Sequence, residues 1–414
     1  MIRILRHTEA APILNRRTTI LADAINIVRP ILDAVASEGD DALVRFARKF
    51  DGLGDQPLLI PQSELRAAAS RLNPAVESAI HTAANNIREF ALTQLPKPFL
   101  REFSDGRQLG QIVRPLEAVG CYIPSGRYPL PSTLLMTAVL AQTAGVPRIV
   151  IASPKPTDEI LGAAHMLGLT DVHRIGGAHA VAAMAYGTPT IPRVDRIVGP
   201  GNVYVAAAKK LLADEVGIDF IAGPTEILIL TAAGNADVIA ADMLAQAEHD
   251  ADAAAILVTT SESLAKAVGE QIQKQLETLS TAATARQAIE RNSAIILVPD
   301  LETGIALSNR FAPEHLSLHD PSLLPLVQNA GTVFLGENSP ESAGDYAAGP
   351  SHVLPTSGAS RLRGGLSAAD FVKVIAIQQL TPSALKVLAP AITTLARAEG
   401  LEAHARAVEI RFAQ

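Results

Sequence analysis

Residues 119–152, VGCYIPSGRYPLPSTLLMTAVLAQTAGVPRIVIA, read as strand, turn, helix and strand. The apolar run at 119–123 stops at Pro124-Ser125-Gly126, small residues predict a helix over 132–144, and Arg148 opens a second β-branched run to Ala152. The alternation continues with a helix at 157–167, a strand at 172–175 and a helix opened by Gly176-Gly177. A strand at 196–198 then meets Gly199-Pro200-Gly201-Asn202 ahead of a helix over 203–212. Strands and helices alternating in this way build a parallel sheet with crossover helices. Residues 117–224 are therefore expected to form one Rossmann-like domain.

Beyond Gly223-Pro224 the alternation resumes, with strands at 226–230, 254–259, 294–298, 315–318 and 332–335 and helices between most of them. Amphipathic helices fill 22–50, 62 onward and 74–92, and residues 108–116 are strand-like. Residues 21–116 and 225–370 are expected to make a second α/β domain, into which 117–224 is inserted. Residues 1–20 form an arm containing Arg3, Arg6, Arg16 and Arg17. Residues 371–414 form a tail, a strand-like piece followed by helices broken at Pro382 and Pro390.

At 414 residues the chain exceeds one ordinary core, and 48% hydrophobic against 19% charged residues suits a folded globular protein. The 35 basic and 42 acidic side chains leave a net charge of −7 with no basic block, which argues against nucleic acid and anionic membranes as partners. No tryptophan is present, so an aromatic platform for single-stranded nucleic acid is not expected. Cys121 is the one cysteine, which excludes an intrachain disulfide and favours a reducing, cytoplasmic location. No apolar run is long enough to span a bilayer.

The stretch 235–250, NADVIAADMLAQAEHD, predicts one helix capped by Asn235, with Asp242, Gln246 and His249 on one polar stripe. An amide oxygen and an imidazole one turn apart suit a small cation, and a solvated helix face would look the same. Pro313-Glu314-His315 sets a carboxylate and an imidazole at a strand start, a candidate pair for base catalysis. Neighbours on a strand face opposite ways, so the two meet at one atom only if the backbone bends. The loop 339–352 contributes Asp345 and His352, and Glu399 and His404 lie on a C-terminal helix. Gln246, His249, Asp345 and His404 would form a mixed N/O set suited to zinc. Gly176-Gly177 and Gly199-Pro200-Gly201 open helices, where free N–H groups suit a pyrophosphate, although GxGxxG is absent. From the residues alone the reading ends at an α/β enzyme with candidate metal and dinucleotide sites.

The chain resembles the histidinol dehydrogenases from about residue 20 to 411. The resemblance is carried by VGCYIPSGRYPLPSTLLMTAVLAQTAGV, IGGAHAVAAMAYGTPTIPRVDRIVGPGN, AGPTEILIL, DMLAQAEHD, FAPEHL, GTVFLGENSPESAGDYAAGPSHVLPT and EGLEAHARAV. It implies two NAD-dependent oxidations of L-histidinol to L-histidine through a bound aldehyde, the last steps of histidine biosynthesis. Gln246, His249, Asp345 and His404 would hold Zn²⁺, which positions the substrate. His315 would be the general base and Glu314 would activate water. Thr225, Gln246, His249, His315, Asp345, His352, Glu399 and His404 would contact substrate, and Tyr122, His179 and Asn202 the NAD. It also implies an intertwined homodimer in which Glu399 and His404 complete the neighbour's site.

Three positions depart from the family's pattern: His179 replaces a usual glutamine, Thr225 a common serine, and 125–128 is bulkier and more basic than a glycine-rich turn. A related zinc- and NAD-dependent enzyme acting on another polar alcohol, such as a sulfonated diol, is the alternative. A non-catalytic metal-binding protein is disfavoured by the intact Glu314-His315 pair.

Overall fold

The computed structural model describes residues 2–14, 21–125, 129–221 and 223–413. Arg16, Arg17 and the Gly126-Arg127-Tyr128 part of the departing turn lie outside the described residues. The strands are β1 (Arg3–Arg6), β2 (Phe99–Glu102), β3 (Arg107–Pro115), β4 (Ala118–Tyr122), β5 (Arg148–Ala152), β6 (Asp171–His173), β7 (Arg196–Val198), β8 (Gly217–Ile218), β9 (Glu226–Thr231), β10 (Ala254–Thr259), β11 (Ala294–Leu297), β12 (His315–Leu318), β13 (Thr332–Leu335) and β14 (Val372–Leu380).

Every residue of β4, β9 and β10 is buried, as expected of parallel strands covered on both faces. One parallel sheet has the order β6-β5-β4-β7-β8 and the other β1-β11-β10-β9-β12-β13. Apart from β1, the two orders are the same. In each, the first strand is central, the next two lie to one side and the last two to the other. β1, within the expected arm, extends the second sheet beside β11 (Arg3 with Ala294). Among the described residues no helix is long and apolar enough to cross a membrane.

The partner of the N-terminal helices differs from the expectation. Residues 21–116 were assigned to the second sheet's layer, yet Val28, Leu32 and Val35 of the helix Ala22–Glu38 share a core with the alanine-rich helices Gly177–Tyr186 and Val203–Leu211. Small residues there let the helices approach closely. Each of those larger apolar side chains, once buried, contributes roughly 1.5–3 kcal/mol. Leu72 likewise occupies the space over Gly162, where an added Cβ would lie 2.6 Å from it. An apolar stripe states how much of a helix is buried but not what buries it.

Residues 95–116 and 372–414 form a second compact unit, distinct from residues 1–94 and 117–371. Its antiparallel sheet runs β14-β3-β2, so β3 does not join a parallel sheet. Pro382 starts the helix Pro382–Ala398, and Pro390 lies inside it without breaking it. Among its described residues, three alanines, Ala384, Ala396 and Ala405, are this unit's buried residues, whereas Val374, Ile375, Leu380, Val387, Leu395 and Ile410 are exposed.

At the end of β7 the chain turns sharply against β4. Gly199 has φ +110°, and a Cβ there would lie 2.2 Å from the Tyr122 carbonyl oxygen. Gly199→Ala must both strain the backbone and push the two strands apart, which costs at least about 1–3 kcal/mol. The expected outcome is a lower melting temperature by circular dichroism; a melt unchanged from wild type would contradict this packing.

Candidate active site

The carboxyl ends of β4 and β7 flank the point where the first sheet's strand order reverses, the usual place for a ligand crevice in such sheets. A cleft of about 460 Å³ lies there, and Tyr122, His179 and Asn202 all line it. Local hydrogen bonds brace its floor. Gly176 N–H donates to Asp51 Oδ2 (3.0 Å), His179 Nε2 lies 2.7 Å from the same oxygen, and Gly177 N–H donates to the Tyr122 hydroxyl (3.0 Å). Burial pushes the Tyr122 phenol up to about 12, so it remains protonated. Asn202 Oδ1 accepts from the Tyr204 and Val205 N–H groups. Gly199 N–H donates to Asp219 Oδ2 (2.8 Å), and the buried Lys209 ammonium binds both the Gly199 carbonyl and Asp219.

These bonds correct one expectation. The glycine turns were read as offering free N–H groups to a pyrophosphate, but those of Gly176, Gly177 and Gly199 already donate to the protein's own acceptors.

The second sheet contributes its opposite end. Thr225 precedes β9, Glu314 precedes β12 and His315 begins it, so these residues gather at the amino ends of paired strands (His315 beside Ile227). Glu314 lies outside the strand, two residues after Ala312 with its φ of +55°, and its Oε2 is 3.7 Å from His315 Nδ1, so the adjacent pair does meet. Glu314 Oε2 accepts from the Thr225 hydroxyl (2.6 Å) and the Glu226 N–H (2.9 Å), which fixes the carboxylate.

His315 is buried and packs on the Phe334 ring. Its Nδ1 lies 3.1 Å from the Glu226 carbonyl oxygen, an atom that can only accept, so Nδ1 carries the proton. Among the described residues Nε2 is left with its lone pair and no hydrogen-bond partner, 3.8 Å from Asp345 Oδ1. Burial lowers the His315 pKa to about 4, the nearby Asp345 charge opposing it. His315 is thus a neutral imidazole with an open acceptor nitrogen.

Asp345 is on the short helix Glu341–Tyr346 rather than in a loop, started at Pro340. The helix of residues 235–250 is shorter than expected: it spans Ala236–Ala247, and the chain then turns as Asp250 accepts the Asp252 N–H. The turn carries His249 Nε2 to 3.8 Å from Asp345 Oδ2. His249, Glu341 and Asp345 each offer a ligand atom, all within 4.8 Å of one another. The buried Gln246 amide reaches Thr225 Oγ1 at 2.9 Å and Glu341 at 2.7 Å. His352 Nδ1 donates to the Asp345 carbonyl (2.8 Å), and its Nε2 lies 3.2 Å from Thr133 Oγ1.

Three of the four expected metal ligands therefore converge. A cavity of about 190 Å³ brings Thr225, His249, Glu314, His315, Asp345 and His352 to one surface, with Pro200 on its rim. Glu399 and His404 belong to the second unit, where His404 is exposed on the helix Glu402–Glu409.

The donor set suits a divalent cation. Burial, with Asp345, Glu314 and Asp242 nearby, holds the Glu341 carboxyl well above the usual carboxylate range, and burial alone raises Asp242 to about 6. Carboxyl groups crowded together without a countercharge are the condition a cation relieves. Imidazole, amide and carboxylate donors match zinc or a similar ion.

A family model for histidinol dehydrogenase matches residues 14–412. The chain belongs to the histidinol dehydrogenase family. It is 49% identical over 391 residues to the histidinol dehydrogenase of Thermus thermophilus, covering 93% of this chain and 94% of that one. It is 44% identical over 399 residues to that of Methanothermobacter thermautotrophicus, covering 94% of each. The crystal structure of histidinol dehydrogenase from Elizabethkingia anophelis is similar, with TM-score 0.95 and 36% identity over 99% of this chain and 98% of that one.

Within this histidinol dehydrogenase fold, the sequence reading misses Asp51 and Thr133, which line the two cavities, and Glu341, whose Oε1 lies 3.7 Å from His315 Nδ1. Glu341 had a legible signal, standing four residues before Asp345 as a carboxylate pair on one helix face; reading 339–352 as loop concealed it.

The depressed His315 pKa has a consequence for stability. Its folded value, about 4, lies below the ordinary 6.5. Between those values the unfolded chain binds a proton that the folded chain refuses, so stability falls with pH through this window and the loss is complete below it. In metal-free protein, His315→Asn is expected to remove up to about 3 kcal/mol of that acid-induced loss. Urea unfolding from about pH 7 to about pH 4 measures it; parallel curves for both proteins would assign the effect elsewhere.

Proposed function

We propose that this protein oxidises L-histidinol to L-histidine in two NAD-dependent steps, as a zinc-containing homodimer in the cytoplasm. The observation that carries the reading is the open Nε2 of neutral His315, facing a cluster of metal-type donors beside a fixed Glu314 carboxylate. Family membership supports it over nearly the whole chain.

Gln246, His249 and Asp345, with His404 of the partner subunit, would hold zinc. When bound, the zinc supplies a Lewis-acid anchor for the substrate's amine and imidazole nitrogens. His315 Nε2 would accept the hydroxyl proton of the alcohol, and NAD⁺, when bound, would take the hydride from the carbinol carbon, giving the aldehyde. Glu314 would take a proton from water as the water oxygen bonds to the aldehyde carbon and the aldehyde oxygen takes the proton held on His315, giving a gem-diol. His315, its proton released, then accepts a gem-diol proton while a second hydride departs, leaving the carboxylic acid. Each oxidation delivers two electrons to one NAD⁺. Thr225 would position Glu314 and touch substrate, His352 and the partner subunit's Glu399 would contact substrate, and Tyr122, His179 and Asn202 would hold the NAD. Keeping the aldehyde enclosed protects it from side reactions.

The homodimer is supported by the second unit, whose apolar side chains stay largely exposed. So small a buried set does not stabilise a unit alone. A second copy of the chain is the proposed cover.

Two NADH per histidinol, with histidine as product, is the expected stoichiometry for purified zinc-loaded protein. Turnover of a sulfonated diol but not histidinol would favour the related-enzyme alternative. Glu314→Gln should lower the aldehyde step by roughly 10²–10⁴-fold while sparing the alcohol step. Equal losses in both half-reactions would contradict this division of labour. Mixed dimers of His315→Ala and His404→Ala chains should regain activity, since one of their two sites is then intact. Verified heterodimers that stay inactive would refute sites shared between subunits.

A further inference from the structure

The cleft at the carboxyl ends of β4 and β7 has an unsolved electrostatic demand. On the dinucleotide reading above, on which this inference rests, it must receive a pyrophosphate. Three backbone donors of its glycine turns are already engaged, and the Asp51 carboxylate sits at the start of the helix Gly177–Tyr186 where an anion would be favoured. Two donors on the neighbouring helix are taken by Asn202. Among the described residues lining the cleft, Lys155 is the one lysine or arginine.

Lys155 lies just past β5, beside β4, where dinucleotide-binding folds of this kind commonly place an acid for the ribose hydroxyls. Here the sequence is Ser153-Pro154-Lys155. Its backbone N–H donates to Ser125 Oγ (2.8 Å), and its stem passes over Gly52, where an added Cβ would stand 3.7 Å from Lys155 Cε. The lysine is thereby held between the turn after β4 and the segment that delivers Asp51.

We propose that Lys155 supplies the positive charge that holds the cofactor's pyrophosphate, the task a helix N-terminus performs in other dinucleotide folds. It is a cofactor-binding residue and takes no part in proton or hydride transfer.

The test uses the full-length protein and two probes, ADP and adenosine, followed by calorimetry. Lys155→Met should weaken ADP roughly tenfold or more, leave adenosine unchanged and raise the KM for NAD by a similar factor. Lys155→Arg should restore ADP binding. Equal ADP affinity in wild type and a Lys155→Met protein with an unaltered melting temperature would overturn the proposal. So would a loss for 2′-AMP with none for ADP, which would assign the lysine to a 2′-phosphate. A wild type inactive on histidinol whose ADP affinity still depends on Lys155 would sink the dehydrogenase reading and keep this one.

Discussion

The catalytic arrangement depends on how the Glu314 carboxylate ties β12 to β9. By accepting from both the Thr225 hydroxyl and the Glu226 N–H, it closes the amino ends of two neighbouring strands. The same junction presents the Glu226 carbonyl to His315 and so selects the tautomer with a bare Nε2. One carboxylate thus sets the geometry of the site, the orientation of the imidazole and, indirectly, which nitrogen can receive a proton. Electrostatics do the rest: burial removes the charge from His315, and burial with Asp345, Glu314 and Asp242 nearby favours the neutral form of the Glu341 carboxyl.

Much of the fold was legible because β4, β9 and β10 are buried on both faces and appear as continuous apolar runs between glycine-marked turns. Short or exposed strands carried no such signal. β1 has four residues, β2 is exposed throughout, and β14 alternates poorly. The N-terminal helices were recognisable as amphipathic, but periodicity holds no address, and their association with the first sheet depended on alanine faces more than a hundred residues away. In the site, Glu314, His315, Gln246, His249 and Asp345 were readable through their chemistry and motif context. Asp51 was not, because a lone aspartate at a helix end looks like any cap until His179 and Gly176 are seen to converge on it.

The second unit shows the limit of reading one chain. Its strands and helices are regular, yet alanines are its buried residues, and larger apolar side chains face outward. Regular secondary structure without an enclosed core is what a chain looks like when part of its burial is supplied by another molecule. Glu399 and His404 sit on this unit, so the folding of the protomer and the completion of a catalytic site become one problem under the dimer proposal.

The paired strand order of the two parallel sheets has a mechanical consequence. Under the proposed function the cofactor cleft lies at the carboxyl ends of one sheet and the His315 base at the amino ends of the other, so neither sheet alone would fix the gap a hydride must cross. The segment after β7 touches both, with Pro200 lining the cavity at His315 and Asn202 lining the cleft at β4 and β7. Under that proposal it would act as a feeler gauge: a tilt between the sheets that left both hydrogen-bond networks intact would still change that spacing. Two stable halves can in this way share one sensitive clearance, set by a four-residue turn.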